Sequence, residues 1–210
     1  MHTRTRRHDK VIILLLSIIG ALALTAGCAP RAYLIVDYPI PAASDQLQGQ
    51  KVRLQIMDQR TDQTTLTFPA ARQFIGFQDR YSLAWVTENR ERILAGEKYL
   101  EELFFEAFKK RLERLGAEVV SREEPGVPLM QVLINTFVID FQDRRWIARM
   151  SYEANMTVDN RLVAREMMKG EAERVKIIGR KGADDTLSDI FTTIVNRLDL
   201  AKLFQQAGMM

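Results

Sequence analysis

Histidine and cysteine are almost missing from this chain of 210 residues, which contains two of the first and one of the second. Both histidines, His2 and His8, lie in the first ten residues, and the cysteine is Cys28. Beyond residue 8 no imidazole is available to take a proton, so a Ser-His-Asp or Cys-His arrangement has no general base. Zinc sites need His and Cys ligands at set spacings, and these are missing too. One thiol forms no intramolecular disulfide. An excess of one charge is also missing from most of the chain. The formal net charge is +3, but residues 1–27 hold four of the 30 Lys and Arg and one of the 27 Asp and Glu, which leaves 26 of each sign. A balanced chain of that kind gives no broad attraction to nucleic acid. Adjacent acids occur at Glu101/Glu102, Glu123/Glu124 and Asp184/Asp185. Adjacency in sequence does not make an acid and base converge in space. The expectation is a protein that is not an enzyme and has no cofactor.

What is present begins with a leader. Arg4, Arg6, Arg7 and Lys10 form a basic front, and Val11 to Gly27 then runs without a charge, the pattern of a secretory signal. The run closes on Leu24-Thr25-Ala26-Gly27-Cys28. Small residues before a cysteine at this point resemble the lipobox of bacterial lipoproteins. That resemblance implies cleavage between Gly27 and Cys28, a thioether-linked diacylglycerol on Cys28 and an N-acyl chain on its amine. At about 0.8 kcal/mol per buried methylene, two or three such chains hold a domain on a membrane. An uncleaved span is the other reading, because residues 11–30 carry no charge and about 20 residues cross a bilayer. Ala29 rather than Asp after the cysteine favours the outer membrane over the inner, on the periplasmic side.

Residues 28–50, with Pro30, Pro39, Pro41 and Gly49, read as a lipidated N-terminus and flexible tether, in which Tyr33-Leu34-Ile35-Val36 is a candidate short edge strand. Residues 51–210 read as one α+β domain. Val52, Leu54 and Ile56 alternate as in a half-buried strand, residues 58–72 read as a loop, and Phe74 to Phe77 as a second short strand. A helix opens at Thr87 or Gly96 and stops at Gly116, with Leu100, Leu103, Phe104, Ala107, Phe108, Leu112 and Leu115 on one face. Lys109, Lys110, Arg111 and Arg114 then belong to a solvated face, with Glu106 placed to pair with Lys110. A short strand at 117–120 and a loop at 124–128 lead to three long alternating strands, 129–141, 146–158 and 162–176, with a tight turn at Asp159-Asn160. Asp184 or Asp185 caps a second amphipathic helix, and residues 200–206 add a last turn or two. The economical arrangement is a two-layer sandwich with a mixed sheet, a C-terminal three-strand meander, and both helices packed on its apolar face.

The strand leading into Asp58-Gln59-Arg60, then Ile75-Gly76, the helix closing Arg114-Leu115-Gly116, the meander and a last helix closing Asn196-Arg197-Leu198 together resemble the YajG-like bacterial lipoproteins. The resemblance implies this fold and no enzymatic activity. The opening Tyr33-Leu34-Ile35-Val36-Asp37-Tyr38-Pro39 is similar to the first strand of the PqiC-like auxiliary lipoproteins of ABC-type lipid transport. Membership there implies a lipid ligand held in an apolar groove between sheet and helices. Asp58 and Arg60 project to one side, either as a polar contact for an envelope partner or as an ion pair ordering the next loop. Met150 and Met156 suit either a core or such a groove. Met167 and Met168 are neighbours on a strand and point to opposite faces, so one of them is placed for an interaction surface. Replacing Cys28 by Ser removes the only acylation site. Cys28→Ser protein is expected to leave the membrane fraction after a carbonate wash, whereas the unaltered protein stays with it.

Overall fold

In the computed structural model of the chain, residues 32–74, 76–176 and 181–209 are described. The expected signal peptide, its expected cleavage between Gly27 and Cys28, and Ile75 of the YajG-like resemblance lie outside the described residues. The elements run β1 (Ala32–Pro39), β2 (Lys51–Asp58), α1 (Phe68–Gln73), β3 (Phe77–Val86), β4 (Arg92–Lys98), α2 (Leu100–Arg114), β5 (Glu118–Val120), β6 (Leu129–Gln142), β7 (Arg145–Val158), β8 (Arg161–Val175), α3 (Lys181–Arg197) and α4 (Leu200–Gln206).

The alternation in residues 129–175 folds as it reads. β6, β7 and β8 form an antiparallel meander, and β2 joins it parallel to β6 to make a five-stranded sheet in the order β5-β2-β6-β7-β8. Asp159 and Asn160, at φ 48° and 60°, make the two-residue hairpin turn. Asp143 and Arg144 make the matching turn between β6 and β7 at φ 47° and 61°. The inward side chains of β7 include Trp146, Met150, Tyr152 and Met156, all buried, so Met150 and Met156 belong to the core. Phe104 of α2 is the hub of an aromatic cluster there, with ring centroids 6.0 Å from Phe137, 6.0 Å from Tyr152 and 5.2 Å from Phe191. Edge-to-face pairs of this kind add about 0.5–1.5 kcal/mol each beyond burial.

The α+β sandwich contains a second sheet, β1-β3-β4, that periodicity does not reveal. The tether expected over residues 28–50 is folded from Ala32 onward. Leu34, Val36 and Tyr38 of β1 are fully buried, and β1 pairs parallel to β3 from Ala32 opposite Phe77 to Pro39 opposite Val86. Residues 44–48 are equally committed. Ser44 N donates to Arg114 O at 2.8 Å and Leu47 N to Leu115 O at 2.7 Å, which satisfies carbonyls at the end of α2. Gly116 turns there at φ 92°, and a side chain on it would meet Gln48 Cα at 3.2 Å.

Where a second short strand was expected at Phe74–Phe77, α1 ends at Gln73 and a longer strand starts at Phe77. Consecutive residues Tyr81 to Ala84 of β3 are buried, so the strand shows an apolar run instead of alternation. Thr87 and Gly96 do not open a helix: Thr87 sits in the β3–β4 turn and Gly96 lies within β4 at φ 86°. The helix begins at Leu100, where Glu102 reaches back to accept from Tyr99 N at 2.9 Å. Glu106 lies 4.0 Å from Lys98 rather than on Lys110, while Lys109 and Glu113 make the i,i+4 contact at 3.9 Å.

α3 starts at Lys181, earlier than Asp184 or Asp185 as caps would place it. Asp184 accepts from Ile35 N at 2.9 Å, Ser188 Oγ accepts from Asp37 N at 2.9 Å, and Thr192 donates to Asp37 O at 3.5 Å. Spaced four apart, these side chains form a polar stripe on α3 that covers the open edge of β1. The far end of α3 is held by Arg111, which is 9% exposed and not on a solvated face. Its guanidinium donates to Val195 O and to Leu198 O, the latter at 2.7 Å, and Tyr152 Oη donates to Ile194 O at 2.9 Å. Burial pulls the Arg111 guanidinium below its ordinary value, opposed by the nearby tyrosines and Asp199. The negative end of the helix dipole suits a cation there.

Arg111→Ala leaves buried carbonyls without donors and a void beneath α3. It is expected to cost about 3 kcal/mol in urea unfolding, while Lys109→Ala on the exposed side costs less than about 0.5 kcal/mol.

Candidate interaction surfaces

Asp58 and Arg60 resolve in favour of the ion pair. Arg60 Nε donates to Asp58 Oδ1 at 2.9 Å and Nη2 to Oδ2 at 2.8 Å, a bidentate contact whose side chains are 7% exposed for Arg60 and 9% for Asp58. The two side chains are largely secluded and spent on each other and on the neighbouring backbone, which favours the ion pair over a contact surface. Their task is local. β6 shifts register between Ile134 and Thr136, where β2 stops pairing with it. Arg60 Nη1 donates to Phe137 O at 3.1 Å, and Gln59 N to Ile134 O at 2.9 Å, so the turn after β2 takes up the acceptors beside the bulge. Thr65 then bonds Tyr81 across 2.7 Å, both residues buried, and burial pushes the Tyr81 phenol well above its ordinary value. The chain runs on past Ile139 in parallel and enters α1.

Met167 and Met168 divide as neighbours on a strand must. Met168 packs against the core and Met167 is 60% exposed on β8, the outer strand of the large sheet. Leu162, opposite Thr157, and Val175, opposite Arg145, are also exposed, while Val163 is the extra residue of a bulge. Around them the outer face of the sheet is a charged ladder. Arg149 pairs with Glu171 at 2.5 Å, Arg145 with Glu173 at 3.1 Å, and Arg165 with Glu153 at 3.2 Å. The edge of β8 is partly occupied, because Arg197 Nη1 donates to Lys169 O at 3.1 Å.

The apolar groove expected between sheet and helices is filled by side chains. Phe104, Phe108, Phe137, Tyr152 and Phe191 occupy that space with almost no exposure. A hollow lies elsewhere, a cleft of about 600 Å³ between the 62–66 segment, α1 and the start of β3. Asp62, Thr64, Leu66, Phe74, Phe77 and Asp79 line it. It is an open, half-polar hollow. These segments carry no periodicity, so nothing in the sequence pointed to it. Among the described residues no three His, Cys, Asp or Glu side chains are grouped to hold a metal, and no helix is long and apolar enough to cross a membrane.

No protein-family model and no curated protein matches the chain. Among solved structures, the fold is similar to that of protein XCC0632 from Xanthomonas campestris, described as DUF330, with a TM-score of 0.56 and 12% identity over 84% of this chain and 99% of that one. A putative neuraminyllactose-binding hemagglutinin homolog from Helicobacter pylori matches less well, with a TM-score of 0.42 and 15% identity over 84% of this chain and 97% of that one. At these identities the likeness is one of fold.

The Asp58–Arg60 pair makes stability depend on acid. Burial raises the Asp58 pKa, but hydrogen bonds and charge from Arg60 lower it by more, so the folded value lies below the ordinary one. The stabilisation is therefore complete above the unfolded pKa, about 4, and disappears as pH falls through the lower folded value. Asp58→Asn is expected to lower the urea midpoint at pH 7 and to flatten its decline over that acid window. An unchanged acid slope would show that the pair does not couple folding to protonation.

Proposed function

We propose that this chain is a lipid-anchored protein of the bacterial cell envelope that acts by binding another envelope component rather than by catalysis. The observation that carries the reading is Leu24-Thr25-Ala26-Gly27-Cys28 at the end of an uncharged run, with Cys28 the only cysteine. Diacylglycerol and an N-acyl chain on Cys28 hold the domain on the periplasmic side, with the outer membrane favoured by Ala29. Anchoring confines domain and partner to one surface and raises their effective concentration, so a modest contact suffices. The exposed Met167 on β8 is the surface we assign to the protein partner. YajG-like lipoproteins remain the family we propose.

A second reading, an accessory lipoprotein of an ABC-type lipid transport system, is favoured by one observation. Residues 33–39, which carry the PqiC-like resemblance, lie in β1, a strand of the core. The filled space between sheet and helices weighs against a lipid held there.

Mass spectrometry of the mature N-terminus tests the anchor: an acylated Cys28 is expected, and a free Cys28 thiol overturns it. A photo-crosslinking side chain at position 167 is expected to trap a discrete protein adduct in intact envelopes, while the same probe at Ser151 in the charged ladder traps none. Equal labelling from both positions would remove β8 as the contact.

A further inference from the structure

We infer that the end of the domain where β1 begins rests on the lipid surface and grips it through Phe68, Arg72, Arg144 and Lys176, with Tyr33 and Val175 beside them. This rests on the lipid-anchor reading above. Cys28 precedes Ala32 by four residues, and even a fully extended chain covers only about 14 Å in that span. The start of β1 is therefore held near the headgroups, and whatever else occupies that end of the molecule is held there too.

The hydrogen bonds and register place a definite set of side chains at that end. Ala32 stands opposite Phe77, whose ring is 5.9 Å from that of Phe74, just past α1. The segment before α1 runs parallel to β6 beside Ile139, so α1 extends towards the β6–β7 turn that carries Arg144. Lys176 ties the two together. Its Nζ donates to Gln73 Oε1 at 2.7 Å and its backbone N to Arg144 O at 2.7 Å.

The chemistry at this end is that of an interfacial contact. Phe68 is 77% exposed, more than any other large apolar side chain among the described residues, and Val175 and Tyr33 are exposed too, at 60% and 38%. A phenyl ring turned to water at one end of a soluble domain is unfavourable there and suits the boundary between headgroups and acyl chains. The Arg72 guanidinium lies 6.0 Å from the centre of the Phe68 ring. Among the described residues Arg72, Arg144 and Lys176 make no ion pair, whereas Arg145 is matched by Glu173 at 3.1 Å. Asp143 beside Arg144 is the acid of the same turn, and Asp62 and Asp79 belong to the cleft. Arg72 beside the exposed Phe68 ring, and at the same end Arg144 and Lys176, whose Nζ lies 5.2 Å from the Phe141 ring centre, fit anionic phospholipid headgroups, each cation adding roughly 1 kcal/mol near such a surface.

The test uses the full lipidated chain in vesicles of phosphatidylethanolamine and phosphatidylglycerol. Phe68→Cys and, as the control, Glu88→Cys in the β3–β4 turn each carry an environment-sensitive fluorophore, the two sites separated by roughly 33 Å of β3. Quenching by doxyl-labelled lipid is expected to be at least fivefold stronger at position 68 than at 88, with iodide in the water showing the reverse. Equal quenching at both positions, in protein that stays with the vesicles, overturns the inference and leaves the anchor standing. Unsubstituted protein that itself takes up the fluorophore has a free Cys28, and that outcome removes the anchor reading instead. Arg72→Glu combined with Lys176→Glu is expected to reduce lipid quenching at position 68 at least twofold. No reduction would remove the headgroup contact.

Discussion

The guanidinium of Arg111 is the contact on which the domain's organisation rests. It reaches from α2 into the end of α3 and supplies donors to carbonyls that the helix itself cannot satisfy. Tyr152 adds a further donor from β7. With its end held, α3 presents an apolar stripe to the large sheet and a polar stripe to β1. On the first side the fit is close enough that a methyl group on Gly170 of β8 would come within 2.4 Å of Ile194 Cδ1. On the second, Asp184, Ser188 and Thr192 stand in for the neighbouring strand that β1 lacks. One helix thus joins two sheets that share no pairing in the described residues, and its position is set by a buried charge.

Legibility in the sequence followed periodicity. The meander and the apolar face of α2 were readable because one side of each element meets water and the other does not, which leaves a period of two or of 3.6 in the chain. β3 carried no such mark, because its buried residues form a run. β1 does alternate, at Leu34, Val36 and Tyr38, but it is short and sits among prolines that suit a linker equally well. β4 was hidden for the opposite reason, since Ile93 and Leu94 are exposed and neither face repeats. Arg111 was misread because a cation on a helix is normally solvated; nothing nearby in sequence tells that its partners are more than 80 residues away. Asp58 and Arg60 were legible as a pair, but their seclusion depends on a bulge in a strand more than 70 residues later.

For function, the result is a division of labour across the molecule. Polar groups that looked available in the sequence, Asp58, Arg60 and Arg111, are spent on internal joints. Apolar side chains left exposed include Met167 on β8, Phe68 and Tyr33 towards the end of the domain where β1 begins, and Ile93 and Leu94 on β4. Folding of residues 32–50 removes the slack that a tether would have provided. On the anchor proposed above, a domain with so short a leader would have little freedom to turn over, one end would meet lipid and the β8 side would face the space beside it. Such an orientation would narrow the partners to those that approach along the membrane.

The first strand of this domain is completed by its last long helix. Ile35 and Asp37 find their partners about 150 residues further along, at Asp184 and Ser188. A chain emerging N-terminus first therefore cannot close its core until almost all of it has been made. Up to that moment one edge of the strand beside the leader stays open. With the export signal proposed above, this would be an advantage, since premature compaction in the cytoplasm would block passage through a narrow translocation channel. The same long-range dependence would delay closure until the C-terminal helix had followed the rest across.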